Sequence, residues 1–178
     1  MKRHQLEHIL RAVGAITGSD RFVIIGSQAI LGQFPNPPAE LLASFEADIF
    51  SPTNRDEATL IDGCIGEGSP FHQTFGYYAH GVGEETATLP KGWKNRLIPV
   101  TSKATNGTTG LCLEVHDLAI SKLIAGRPKD LQFVSDLIRH RLANPEILQQ
   151  RLEETELDQP IRDLCTGRLS RIQTTDHS

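Results

Sequence analysis

The sequence predicts an α+β protein, a small mixed sheet followed by a helical C-terminal half. Three observations carry this. Short β-branched or alternating segments are interleaved with helical ones up to about residue 115. From His116 onward strand signals stop, and Pro128, Pro145 and Pro160 each stand at or near the start of a helical segment, where a missing N–H costs nothing. Hydrophobic residues make up 38% and charged residues 22% of the 178, enough for a packed core of about one domain. The expected division is a sheet core over residues 1–115 and a helical subdomain over 116–178 packed on it.

Taken in order, Leu6, Ile9, Leu10, Val13 and Ile16 recur at helical spacing, and Gly18-Ser19-Asp20 ends that helix. Arg21-Phe22-Val23-Ile24-Ile25 reads as a buried strand, and Gly26-Ser27 breaks it to open a short helix over Gln28–Gly32. Pro35, Pro37 and Pro38 exclude regular structure after Phe34. Ser44–Phe50 alternates as a second strand that Ser51-Pro52 stops, and residues 54–65 are expected to be helical. Further strands are expected at Phe75–Val82, Leu97–Val100 and Leu111–Val115, with a polar turn at Thr105–Gly110. Helices follow at Asp117–Ala125, Lys129–Ala143, Pro145–Glu156 and Pro160–Gln173, and Gln173–Ser178 is expected to fray.

Composition excludes several classes. Lys and Arg number 18 against 22 Asp and Glu, a net charge of −4 spread evenly along the chain, which argues against binding through bulk positive charge. No apolar run approaches the roughly 18–20 residues of a membrane span. Cys64, Cys112 and Cys165 are an odd number without a CxxC spacing, so buried free thiols in a cytoplasmic protein are expected rather than a disulfide framework or a zinc site. His4, His8, His140 and His177 fall on expected exposed helix faces or tails, and His72, His80 and His116 stand beside no glycine-framed nucleophile. A Ser/His/Asp triad is therefore not supported.

The most informative motif is Glu46-Ala47-Asp48 on an expected strand. Side chains at i and i+2 share a face, so two carboxylates converge from Cα atoms about 7 Å apart. They repel unless a cation sits between them, and Mg²⁺, which takes carboxylates together with phosphate oxygens, suits the place; two solvated acids on an edge strand are the plain alternative. Gly26-Ser27 at a strand-to-helix junction lets a phosphate approach backbone N–H groups, or simply caps the helix. Neither a Walker loop nor GxGxxG is present. Lys122 is a cation within a short apolar helix, placed either to meet phosphates or to snorkel to the surface, and Arg127, Lys129 and Asp130 cluster at the next corner.

Together these pieces resemble the minimal nucleotidyltransferase fold, in particular small bacterial proteins related to the AbiEii abortive-infection toxins. The resemblance is carried by Val23–Ile30, by Ser44–Ile49 and by Asp117–Leu131, with Leu89–Leu97 between them, and covers roughly residues 20–140. It implies a sheet of the nucleotidyltransferase type, with Gly26 and Ser27 holding triphosphate oxygens and Glu46 and Asp48 binding Mg²⁺ and activating the acceptor. It also implies Lys122 against the phosphates and Lys129-Asp130 as the following basic-acidic element. The implied reaction transfers a nucleoside monophosphate from an NTP to a hydroxyl, with tRNA or protein as candidate acceptors and a cognate antitoxin as candidate partner. Two departures stand out: the first acid is Glu instead of Asp, and eighteen residues separate Ser27 from Glu46. Glu114 is the expected third carboxylate and metal ligand, with Asp117 second.

The resulting expectation is a Mg²⁺-dependent nucleotidyltransferase-like protein with Asp48, Lys122 and Asp130 as catalytic residues. Gly26, Ser27, Lys122 and Lys129 would bind nucleotide, and Glu46, Asp48 and Glu114 would bind metal. The rival is a catalytically inactive module of the same fold that binds a partner through its C-terminal helices. A phosphohydrolase using the same carboxylates is the third reading.

Overall fold

Leu6, Ile9, Leu10 and Val13 form the buried face of α1 (Arg3–Thr17). In the computed structural model, which describes residues 1–175, this helix belongs to the first of two compact units, Met1–Thr86 with Leu97–Glu114; the second comprises Ala87–Arg96 and the chain from Val115.

The first unit holds one five-stranded sheet of β1 (Arg21–Ile24), β2 (Glu46–Phe50), β3 (Tyr78–Gly81), β4 (Ile98–Val100) and β5 (Thr109–Cys112), ordered β3-β2-β1-β5-β4. The sheet is mixed: β1 runs parallel to β5 and antiparallel to β2, β2 is parallel to β3, and β4 is antiparallel to β5. A central strand is covered on both faces and reads as a continuous apolar run. Accordingly, Phe22, Val23, Ile24 and Ile25 are all buried. After β1 come a 3-10 turn, Ser27–Ala29, and the four-residue α2 (Ile30–Gln33). Between β2 and β3 lie α3 (Glu57–Ile65) and α4 (Pro70–Phe75), with α3 packed on both α1 and β3.

The second unit consists of α5 (Val115–Ala125), α6 (Pro128–Arg139), α7 (Pro145–Glu153) and α8 (Gln159–Thr175). Leu118, Ile120, Leu123, Val134, Leu137, Leu148, Leu152 and Leu169 build its core. Asp117, fully buried on α5, accepts two hydrogen bonds from Arg96, at 2.8 and 2.9 Å, with Arg151 Nε at 3.6 Å. This pairing ties the Ala87–Arg96 segment to the helices. Among the described residues no helix is long and apolar enough to cross a membrane.

The fold class is as expected, and the differences are local. The strand expected over Phe75–Val82 begins only at Tyr78, because Ser69 accepts from His72 N (3.2 Å) with Pro70 at the first position, starting a helix that Gly76 ends at φ 74°. The turn expected over Thr105–Gly110 is shorter: Ser102 caps a 3-10 turn, Lys103–Thr105, and Thr109 and Gly110 already pair with Arg21 and Phe22. Val115, placed in a strand by its β-branching, opens α5. The helix expected to reach Ala143 stops at Arg139, followed by Arg141 at φ 57°. His8 is not on an exposed face: its ring packs against Phe71 and Phe75, and Nδ1 lies 2.7 Å from the Tyr77 hydroxyl. Cys112 and Cys165 are buried free thiols as expected, but Cys64 is exposed. Of the expected frayed tail, Gln173 to Thr175 belong to α8, while residues 176–178, His177 among them, lie outside the described residues.

Candidate active site

The alternation of β2 puts Ala47 and Ile49 into the core and turns Glu46 and Asp48 to the opposite face, where both are partly exposed. Parallel pairing with β3 sets Glu46 beside Tyr78 and Asp48 beside His80, so all four side chains share that face. His80 Nδ1 lies 3.1 Å from Glu46 Oε1 and 3.2 Å from Asp48 Oδ1, and the Tyr78 hydroxyl donates to Glu46 Oε2 at 3.1 Å. One ligand atom each from Glu46, Asp48 and His80 lie within 4.8 Å of one another. Two carboxylates and an imidazole nitrogen at this spacing are a donor set that fits a divalent cation. A cavity of about 360 Å³ borders the cluster, lined by Glu46, Asp62, Glu67, Tyr78, Ala79 and His80.

The other oxygen of Asp48 meets the turn after β1. Ile25 N donates to the Asp48 carbonyl at 3.1 Å, which fixes the end of β1 against β2. The next residue is Gly26, and a Cβ there would collide with Asp48 Oδ2. A side chain at position 26 would displace that carboxylate. Gly26, not Ser27, is the N-cap of the 3-10 turn and no side chain caps it, so the Ser27 hydroxyl is not committed to capping. Gln28, next in the chain, is fully buried, and neither Oε1 nor Nε2 finds a hydrogen-bond partner.

The electrostatics are unbalanced. Burial, together with the adjacent Glu46 carboxyl, pushes Asp48 up to about 6, only partly opposed by His80. Burial pushes Glu46 up as well, but hydrogen bonds to the Asp48 carboxyl and the Tyr78 hydroxyl, with the charge on His80, outweigh it and hold Glu46 below its usual range. Burial lowers His80, yet its bond to Asp48 and the charges of Asp48 and Glu46 prevail and raise it. The imidazole thus gains proton affinity from the two acids that it bridges.

Gly26, Ser27, Glu46 and Asp48 therefore come together in the first unit. Glu114, expected as the third carboxylate, follows β5 by two residues and is not a member of the three-ligand group, whose third donor is His80. Lys122, Lys129 and Asp130 belong to the second unit. There Asp130, 1% exposed, takes Lys122 Nζ at 3.2 Å on Oδ1 and Arg127 Nε at 2.6 Å on Oδ2, while Lys129 is exposed. Asp117, the second candidate for the third carboxylate, is engaged by Arg96. The second unit also has a cleft of about 720 Å³, walled among others by Lys91, Glu154, Asp158 and Arg162.

Sequence reasoning missed His80 and Tyr78. Their signal was a second polar i, i+2 pair, Tyr78-Ala79-His80, matching Glu46-Ala47-Asp48. Only the strand pairing makes the two pairs one site.

The family described as "Nucleotidyltransferase of unknown function" (DUF6036) matches residues 4–168. No curated protein and no solved structure matches the chain. With nearly its whole length covered, and a mixed sheet carrying its acidic pair beside a Gly-Ser turn, the chain belongs to this nucleotidyltransferase family.

Proposed function

We propose that the chain transfers a nucleoside monophosphate from an NTP to a hydroxyl acceptor at the Gly26-Ser27 and Glu46/Asp48 face. The observation that carries this is the seating of the Asp48 carboxylate on Gly26, which joins the acidic pair to the turn suited to phosphate. Glu46 and Asp48 hold a divalent cation of the Mg²⁺ type, which when bound neutralises triphosphate oxygens and eases ionisation of the acceptor hydroxyl. Gly26 presents backbone without a side chain in the way, and the Ser27 hydroxyl donates to a β- or γ-phosphate oxygen. Asp48 orients the acceptor hydroxyl toward the α-phosphorus and takes up its proton. The new bond joins acceptor oxygen to phosphorus, the bond to the bridging oxygen breaks, and pyrophosphate leaves. On the second unit, Lys122, oriented by Asp130, and Lys129 are proposed separately as cations suited to phosphate. In-line displacement at phosphorus needs positioning and charge neutralisation, which these groups supply.

The resemblance to AbiEii-type proteins supports tRNA or protein hydroxyls as the acceptor, action in the cytoplasm, and an antitoxin as partner. The test uses NTPs labelled at the α-phosphate, with Mg²⁺ and tRNA or protein acceptors. Label is expected in an acceptor with matching release of pyrophosphate, and both are lost in Gly26→Ala and Asp48→Asn. Label appearing only as free nucleoside monophosphate indicates hydrolysis instead, and transfer that survives in both variants contradicts the site.

A further inference from the structure

The proposed function gives the metal to Glu46 and Asp48 and leaves open what His80, the third donor of the group, adds; the inference below rests on that reading. We propose that His80 is the third protein ligand of the cation, through Nδ1, making this a two-carboxylate, one-imidazole centre that selects Mn²⁺ over Mg²⁺.

The geometry is direct. Neighbouring ligands around an octahedral ion with bonds of about 2.1 Å stand about 3 Å apart. His80 Nδ1 is 3.1 Å from Glu46 Oε1 and 3.2 Å from Asp48 Oδ1, so the ring nitrogen already stands at ligand spacing from both. No side chain has to swing in. The fold also holds Glu46 by its other oxygen, Oε2, through the Tyr78 hydroxyl, while Asp48 Oδ2 lies over the open side of Gly26. The two remaining oxygens, Oε1 and Oδ1, are the ones that converge on Nδ1. Such an outer hydrogen bond is what orients metal-binding groups in built sites.

Charge points the same way. Without a metal, one ring N–H is shared between two carboxylates. A divalent ion brings two positive charges to that place. The ring then coordinates as neutral imidazole with its proton on Nε2, and the His80 side chain, 50% exposed, lets that proton meet solvent. Mg²⁺ favours all-oxygen surroundings, whereas a nitrogen donor among carboxylates suits first-row transition ions.

The test is direct binding to the full chain without nucleotide. Mn²⁺ is titrated and followed by electron paramagnetic resonance, Mg²⁺ is measured by competition, and pulsed spectra of bound Mn²⁺ are inspected for nitrogen coupling. Wild type is expected to show the coupling and to prefer Mn²⁺. His80→Ala and His80→Gln are expected to lose the coupling and to weaken Mn²⁺ by about tenfold or more, with a much smaller effect on Mg²⁺. Melting curves of both variants are recorded alongside to separate lost binding from unfolding, and His80→Gln keeps an amide donor between the two carboxylates. Mn²⁺ that binds through Glu46 and Asp48 without nitrogen coupling overturns the role of His80 and leaves the carboxylate reading intact. Tighter binding of both ions in His80→Ala does the same, since the ring would then be only a competing cation. Binding of neither ion by wild type, or Mn²⁺ binding unaltered in Asp48→Asn, overturns both.

Discussion

Two acidic clusters in this chain are built with opposite charge balance. In the first unit two carboxylates, Glu46 and Asp48, share one imidazole. In the second, one carboxylate, Asp130, is shared by Lys122 and Arg127. The consequences diverge accordingly. Asp48 is pushed up to about 6 by burial and its acidic neighbour. Burial pushes Asp130 up too, but Arg127 and Lys122 outweigh it and hold it below the usual carboxylate range. A carboxylate whose charge is met within the fold has little left for a cation from outside and serves to hold its partners, here Lys122 and Arg127. One whose charge is under-compensated keeps its affinity for a cation from outside, which supports the proposal of the Glu46/Asp48 face as the functional one.

Breaking the compensated cluster should have the largest effect on stability. Asp130→Ala leaves the Lys122 cation, mostly buried, without its partner, and is expected to cost about 3 kcal/mol in chemical denaturation. A loss under 1 kcal/mol would remove the contrast. The same substitution logic reverses at Asp48. In the metal-free protein, Asp48→Asn is expected to raise stability by about 1–2 kcal/mol at neutral pH, because a poorly compensated charge is removed.

The pH dependence sharpens this further. Folded protein keeps the Asp48 proton up to about 6, whereas the unfolded chain releases it near the ordinary carboxylate value of 3.8. Unfolding therefore releases a proton within that window, and wild-type stability falls there as pH rises. The advantage of Asp48→Asn should be absent below the window and complete above it. Asp130 behaves oppositely: its stabilisation is full above the ordinary carboxylate range and disappears as pH falls through its lower folded value. Melting curves of both variants across this range would distinguish the two signs.

Smaller effects are expected around the turn. Gln28 is buried with both amide atoms unpartnered, so Gln28→Met should stabilise by about 1 kcal/mol. Ser27 does not cap its turn, and Ser27→Ala should shift stability by less than about 0.5 kcal/mol while weakening nucleotide binding. A loss of about 1 kcal/mol, the ordinary worth of a cap, would give Ser27 a structural role instead.

How much of this was legible in the chain depends on whether the signal is local. Glu46-Ala47-Asp48 announces a shared face by period alone, and Gly26-Ser27 announces a strand end, so four of the site's residues could be named from short windows. His80 could not, because its place beside Asp48 is set by a parallel register with a residue thirty-two positions earlier in the chain. The helix α4 was missed for a related reason. Phe71, Phe75 and Tyr77 suggest a strand by type, yet they gather with His8 of α1 in a tertiary aromatic cluster, while Ser69-Pro70 and Gly76 delimit a helical turn. Glu114 was chosen as a strand-end carboxylate, and the strand ends two residues earlier, at Cys112.

The most direct test of the central claim is calorimetric titration of each NTP into the full chain, with and without Mg²⁺, beside Asp48→Asn. The account predicts metal-dependent binding of at least one NTP that the variant loses while its melting temperature is unchanged or higher. Binding that ignores the metal, or that persists in the variant, would contradict it, as would no binding of any NTP by the folded wild-type protein.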